Sequence, residues 1–244
     1  MSERTPPPGV IVLAGGFGTR VSHLLPGVPK PMAPVAGRPF VEWVVRAFAR
    51  WGCRDFFLAT GHLAEVVGNH FKSQPVPNIS VTCRPETSPL GTAGGCIHAL
   101  PAVIDDSRRW LVVNGDSLVL TDPRPLLAPI DAGVADAALL GLALPDASRF
   151  GTLEIGPDRF LKSFREKSPG AGTINAGVYA FSERALRSLP ATRPLSFEFD
   201  VFPSLALNHR MQVTTVTAPF LDIGTPETLR AAEKFITAHR SHFA

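Results

Sequence analysis

The chain has 244 residues, 45% of them hydrophobic and 18% charged, with a formal net charge of +3. That balance excludes a disordered chain, and the charge is too mild to argue for nucleic acid or an acidic membrane as a partner. The length is enough to bury a large core in one α/β domain.

Residues 1–8 are polar and proline-rich, so they are expected to form a flexible arm rather than a signal peptide. Strand-like runs over 10–14, 55–60, 79–84 and 110–114 then alternate with helical stretches over 39–51, 63–71 and 91–100. Pro39 suits a first helical turn, and Phe40, Val44, Ala47 and Phe48 recur on one helical face. Such alternation implies right-handed crossovers and a mostly parallel sheet, with ligands beyond the carboxyl ends of its strands. Beyond Leu120 the pattern changes to strands over 135–144, 151–155, 159–165, 177–181 and 212–217. Short helices over 183–189 and 199–207 interrupt them, and Pro226 starts a last helix to about 239. The run 135–144 is the longest apolar stretch, but it carries Asp136 and stops at Pro145, which argues against a membrane span. Residues 9–244 therefore read as one domain, with halves 9–120 and 121–244. Cys53, Cys83 and Cys96 form no C-x-x-C spacing, which suits a reduced, cytoplasmic protein. The seven histidines show no metal spacing, and Trp43, Trp51 and Trp110 read as packing residues.

Two stretches stand out. Leu13-Ala14-Gly15-Gly16-Phe17-Gly18-Thr19-Arg20 follows the first strand, and Pro29-Lys30-Pro31-Met32 comes soon after. Three glycines in four positions let the backbone turn tightly and approach a ligand, and successive bare N–H groups form an anion-binding concavity. Arg20 and Lys30 add positive charge suited to phosphate. The spacing fits neither G-x-x-x-x-G-K-[ST] nor G-x-G-x-x-G. A plain strand-to-helix turn with two solvated cations remains the alternative on these residues alone. Asp116, at the carboxyl end of an apolar strand beside this loop, is suited to hold Mg²⁺ or to cap a turn.

Together the two motifs resemble the signature of the sugar-1-phosphate nucleotidylyltransferases, which join a nucleoside triphosphate to a sugar 1-phosphate and release pyrophosphate. The resemblance implies a Rossmann-like, mostly parallel mixed sheet flanked by helices, with a small sugar-binding β-rich lid. It implies nucleotide contacts at Leu13, Ala14, Gly15, Gly16, Gly18, Thr19, Arg20, Glu86, Gly91 and Thr92. Asp116 and Asp222, the latter in Asp222-Ile223-Gly224-Thr225-Pro226, would share a catalytic Mg²⁺. Glu166, Lys167, Asn175 and the Gly151 backbone match the sugar-phosphate pocket, with Glu198 a further contact. Arg20, Lys30, Asp116 and Lys167 would carry catalysis, by direct in-line attack on the α-phosphorus.

Relatives that take dTTP or UTP commonly place glutamine where Glu86 stands. A carboxylate only accepts hydrogen bonds, and guanine offers N1–H and N2–H₂ on one edge, so Glu86 favours GTP. The narrower likeness is to the guanylyltransferases of D-glycero-D-manno-heptose 1-phosphate. Mannose 1-phosphate guanylyl transfer, glucose 1-phosphate thymidylyl transfer and a non-catalytic nucleotide-sugar sensor are the rivals. Neither a nucleic-acid nor a membrane partner is expected, and a homodimer is left open.

Overall fold

The computed structural model describes residues 6–105, 108–167, 169–190 and 192–243. Strands of the first half are Gly9–Ala14 (β1), Pro34–Val35 (β2), Arg38–Pro39 (β3), Asp55–Thr60 (β4), Ser80–Pro85 (β5), Arg109–Asn114 (β6) and Ser117–Val119 (β7). The second half adds Ala137–Leu144 (β8), Thr152–Ile155 (β9), Leu161–Arg165 (β10), Gly172–Ser182 (β11), Met211–Val216 (β12) and Phe220–Asp222 (β13). Helices are Phe40–Ala49 (α1), Ala64–Ser73 (α2), Thr92–Ala99 (α3), Ala128–Asp131 (α4), Glu183–Arg187 (α5), Phe202–Leu207 (α6) and Pro226–Ala238 (α7).

Nine of these strands make one mixed sheet, in which β6, β1, β4 and β5 lie side by side and parallel. β11 joins β6 antiparallel, β8 joins β11 antiparallel, and β12 runs parallel to β8. β9 pairs with the first half of β11 and carries β10 on its other side. The alternation of side chains along β1 divides the core in two. Val10 and Val12 pack with Phe40, Val44 and Phe48 of α1, whereas Ile11 packs with Ala93 and Cys96 of α3 and with Phe197 and Phe202. β1 is thus covered on both faces, as its unbroken apolar sequence requires.

Several boundaries differ from the pattern read in the sequence. Pro39 is the extended residue before α1 rather than part of its first turn, and Gly91 precedes α3 at φ +77°. β10 begins at Leu161, with Phe160 forming only an isolated bridge to Gln212. β11 starts at Gly172, so Asn175 lies inside a strand, at a break in the register with β8. The segment expected to be a single helix over 199–207 opens instead as a π-turn at Phe197–Val201 before α6. The antiparallel pair β7–β13 was not foreseen. Of the expected arm, residues 1–5 lie outside the described residues, and the Pro6 carbonyl accepts a hydrogen bond from Arg109. Trp43 and Trp110 are buried as expected, while the guanidinium groups of Arg50 and Arg124 lie over the Trp51 ring. Among the described residues no helix is long and apolar enough to cross a membrane.

Glu42 is a charge within the α1 packing face, 1% exposed, and it accepts hydrogen bonds from Arg38, Arg46 and His70. Burial alone would raise its carboxyl, but the hydrogen bonds from Arg46 and His70 and the charges of Arg38 and Arg46 outweigh it, holding the group below its ordinary value of 4.5. Its stabilisation is therefore complete above 4.5 and is lost as the pH falls through the lowered folded value. Glu42→Gln should cost about 3 kcal/mol in urea unfolding at neutral pH, because it removes the buried carboxylate that Arg38 and Arg46 pair with. The difference from wild type should shrink as the pH drops below 4.5. A pH-independent difference would show that the carboxylate charge is not what holds α1 to α2.

Candidate active site

The carboxyl ends of β1, β4, β5 and β6 open onto a cavity of about 650 Å³. Its lining takes in Leu13, Gly15, Gly16, Gly18, Thr19, Arg20, Lys30, Glu86, Gly91, Thr92, Asp116 and Glu198, all anticipated from the sequence. Ala14 is buried behind this wall, 2% exposed. Gly151, Glu166, Lys167, Asn175 and Asp222 are outside the lining.

Glycine is required at the wall for steric reasons. Gly18 has φ +58°, and a Cβ there would come within 2.6 Å of Lys30 Cβ. The turn after β1 thus lies directly on the short 3₁₀ turn Lys30–Met32 that delivers the lysine. Prolines at 29 and 31 bound it, and Lys30 is 9% exposed.

Lys30 Nζ meets Asp116 Oδ2 at 2.6 Å. Asp116 arrives from the turn after β6, where the Gly115 N–H donates to the Leu13 carbonyl at 2.9 Å and pins that turn to the end of β1. Asp222 is brought to the same place by strand pairing. In the β7–β13 ladder Asp222 stands opposite Ser117, and the Ile223 N–H donates to the Asp116 carbonyl at 3.0 Å. The Asp222 carboxylate also accepts the Gly224 N–H. Thr225 and Thr228 then form a reciprocal cap and Pro226 starts α7, so the segment is a turn and helix start as well as a carboxylate holder. Burial raises the Asp222 carboxyl, the Asp116 charge raises it further, and Lys30 and Arg20 pull it partly back.

This donor set fits a divalent cation. The Asp116 charge reaches the largely buried Asp222 carboxyl, whose group stays raised despite Lys30 and Arg20, and hard cations take oxygen ligands. Among the described residues no group of three or more His, Cys, Asp or Glu forms a ready-made cage. A site of two carboxylates leaves its other positions to ligand oxygens and water, which is how Mg²⁺ is usually held.

Glu86 closes the opposite wall. One oxygen accepts the Leu90 N–H at 3.1 Å, organising the loop into α3, and the other faces Gly15 and Gly95. A Cβ on Gly95 would lie 2.3 Å from that oxygen, so the glycine makes its seat. The start of α3 has no side-chain cap of its own; instead the Leu195 carbonyl accepts the N–H groups of Ala93 and Gly94. Thr92 donates to Glu198 at 2.9 Å and accepts the Phe197 N–H, tying the 195–198 segment to the cavity wall.

Gly151, Glu166, Lys167 and Asn175 lie together at a neighbouring sheet end. Thr152 pairs with both Arg165 of β10 and Ile174 of β11, so all four residues fall within two positions of that register. Asn175 spans the register break, accepting the Gly177 N–H and donating to the Tyr179 hydroxyl. Gly177, at φ +73°, leans on Asn114 of the cavity wall, where a Cβ would approach the amide to 2.6 Å. Glu166 and Lys167 are exposed beside it. Phe17, Gly61, His62 and Asn114 also line the cavity without having been anticipated. His62 has no metal-ligand spacing, and its position just beyond β4 is the signal that places it at the cavity.

The nucleotidyl transferase family model matches residues 9–239. A D-glycero-alpha-D-manno-heptose 1-phosphate guanylyltransferase of Aneurinibacillus thermoaerophilus is 30% identical over 92% of this chain and 96% of its own. A mannose-1-phosphate guanylyltransferase of Mycobacterium tuberculosis is 32% identical over 89% of this chain, but only 61% of its own length is matched. The crystal structure of HddC from Yersinia pseudotuberculosis complexed with GMP-PN superposes with a TM-score of 0.81 at 29% identity, covering 93% of this chain and 99% of that one.

Gly91 offers a test of how the wall is built. A Cβ there would lie 2.4 Å from the Leu195 carbonyl oxygen, on a backbone at φ +77°. Gly91→Ala should lower stability by about 2 kcal/mol in urea unfolding. A loss below about 0.5 kcal/mol would mean that Leu195 is not needed to close the start of α3.

Proposed function

The chain belongs to the nucleotidyl transferase family, and we propose that it transfers GMP from GTP to a sugar 1-phosphate, releasing pyrophosphate. The acceptor we put first is D-glycero-D-manno-heptose 1-phosphate. The observation that carries the reading is the Lys30–Asp116 pair at 2.6 Å beneath the glycine turn, with Asp222 close enough to feel both charges. The heptose acceptor draws support from relatives matched over nearly their whole length. The mannose 1-phosphate enzyme is the second reading, since its relatives are similarly identical but longer.

The attacking sugar phosphate has a second pKa of about 6 and is mostly dianionic at pH 7, so no general base or covalent intermediate is needed. Catalysis then rests on positioning and on neutralising charge. The glycine-turn N–H groups would cradle the phosphates, and Arg20 would orient the leaving pyrophosphate. Lys30, held at the site by its pair with Asp116, would bridge the α-phosphate and the incoming phosphate. Lys167 would hold the sugar phosphate, while Glu166, Asn175, Glu198 and the Gly151 backbone receive the sugar. Asp116 and Asp222 would hold Mg²⁺, which when bound neutralises triphosphate oxygens. Glu86 would accept the paired donors of guanine through the oxygen that Leu90 leaves free. The three free cysteines suit a reducing cytoplasm.

Pyrophosphate release from four nucleoside triphosphates against heptose, mannose and glucose 1-phosphates tests the reading. GTP with heptose 1-phosphate should be turned over fastest; binding of GTP with no pyrophosphate released under any pairing would contradict it. Lys30→Ala should reduce turnover at least about 100-fold, the scale of losing one preorganised charge contact. Turnover within threefold of wild type would remove Lys30 from the chemistry. Glu86→Gln keeps an acceptor for Leu90 but replaces one carboxylate oxygen with a donor. It should lower the preference for GTP over UTP at least about tenfold, and an unchanged preference would take Glu86 away from the base.

A further inference from the structure

Phe17 sits at the tip of the glycine turn with 58% of its surface exposed, in a position where an apolar ring gains nothing from the protein core. Its ring contact is with His62, at 5.6 Å between centroids and 36° between planes. The two rings come from the turns after adjacent parallel strands, β1 and β4. Those turns touch backbone to backbone, because a Cβ on Gly61 would lie 2.7 Å from the Gly15 carbonyl oxygen. The pair is therefore held in place from beneath, and both rings border the cavity.

The residues on either side say what would lie under the rings. Gly15 adjoins the Glu86 carboxylate, at 3.2 Å from a Cβ built there, and Gly18 adjoins Lys30. With a guanine base at Glu86 and phosphates at Lys30, the part of the ligand between them is the ribose. Gly16 has open space where a side chain would stand, so nothing intervenes between the backbone and that part of the cavity.

We propose that Phe17, backed by His62, forms the apolar face against which the ribose of the bound nucleotide packs. Phe17 is then a nucleotide-contact residue that sets the spacing between the base slot and the phosphate turn. The inference rests on the guanylyl-transfer reading for the direction in which the nucleotide lies.

Calorimetric binding of GTP, and of an acyclic guanosine triphosphate analogue that lacks the ribose ring, tests it. Phe17→Ala should weaken GTP binding about tenfold, the scale of leaving one half-exposed ring and its partner surface in water. It should weaken the acyclic analogue less than threefold and leave the melting temperature unchanged. Phe17→Tyr, which keeps the ring, should bind GTP as wild type does. His62→Ala should cost less than Phe17→Ala, and nothing further when Phe17 is already alanine. GTP binding within twofold of wild type in Phe17→Ala, or an equal loss for both nucleotides, would overturn the proposal. Normal GTP binding with no pyrophosphate released from any sugar 1-phosphate would instead count against the transferase reading and leave the Phe17 contact to be judged by binding alone.

Discussion

The antiparallel pairing of β7 with β13 is the constraint on which the site depends. Each strand has three residues, yet their register puts Asp222 opposite Ser117 and ties Ile223 to the Asp116 carbonyl. Two carboxylates more than a hundred residues apart in sequence are thereby brought to one place, where burial raises the Asp222 carboxyl and the Asp116 charge raises it further. Lys30 pulls it partly back. Its ammonium is nearly buried and ion-paired, and the glycine turn packs on its aliphatic stem at Gly18.

The sheet supplies the two halves of the cavity by different means. In the parallel half, four strands end at one level, and their loops approach closely because glycines stand at the contacts. Gly15 against Gly61, Gly18 against Lys30 and Gly95 against Glu86 are each closer than a side chain would allow. In the antiparallel half, β11 changes partner along its length, pairing with β9 early and β6 late. The register break at Asn175–Gly177 marks that change and sets Gly177 against Asn114 of the cavity wall. One strand thus joins the cavity wall to the neighbouring sheet end that carries Gly151, Glu166 and Lys167.

Much of this could be read from the residues. The parallel strands were legible because β1, β4 and β6 are apolar runs bounded by glycine or aspartate turns, and α1 because its apolar positions recur with helical period. The glycine turn and the late lysine carry the family resemblance in the sequence itself. Strands of three residues carry no periodicity, so β7 and β13 left no trace beyond the aspartates at their ends. The π-turn at Phe197–Val201 depends on the Ser196 hydroxyl accepting the Glu198 and Phe199 N–H groups, a local bond invisible to pattern. Asn175 read as lying ahead of a strand because the glycine after it signals a turn, whereas the strand runs through with a bulge. Phe17 and His62 lie far apart in sequence and meet only because β1 and β4 are neighbours.

The central claim is that Asp116 and Asp222 together hold a divalent cation facing the glycine turn. Anomalous diffraction from crystals grown with GTP and Mn²⁺ tests it most directly. The account predicts a manganese peak within coordinating distance of both carboxylates, on the Lys30 side of the β7–β13 pair. A peak held by neither aspartate, or by one of them with the other turned away, would contradict it.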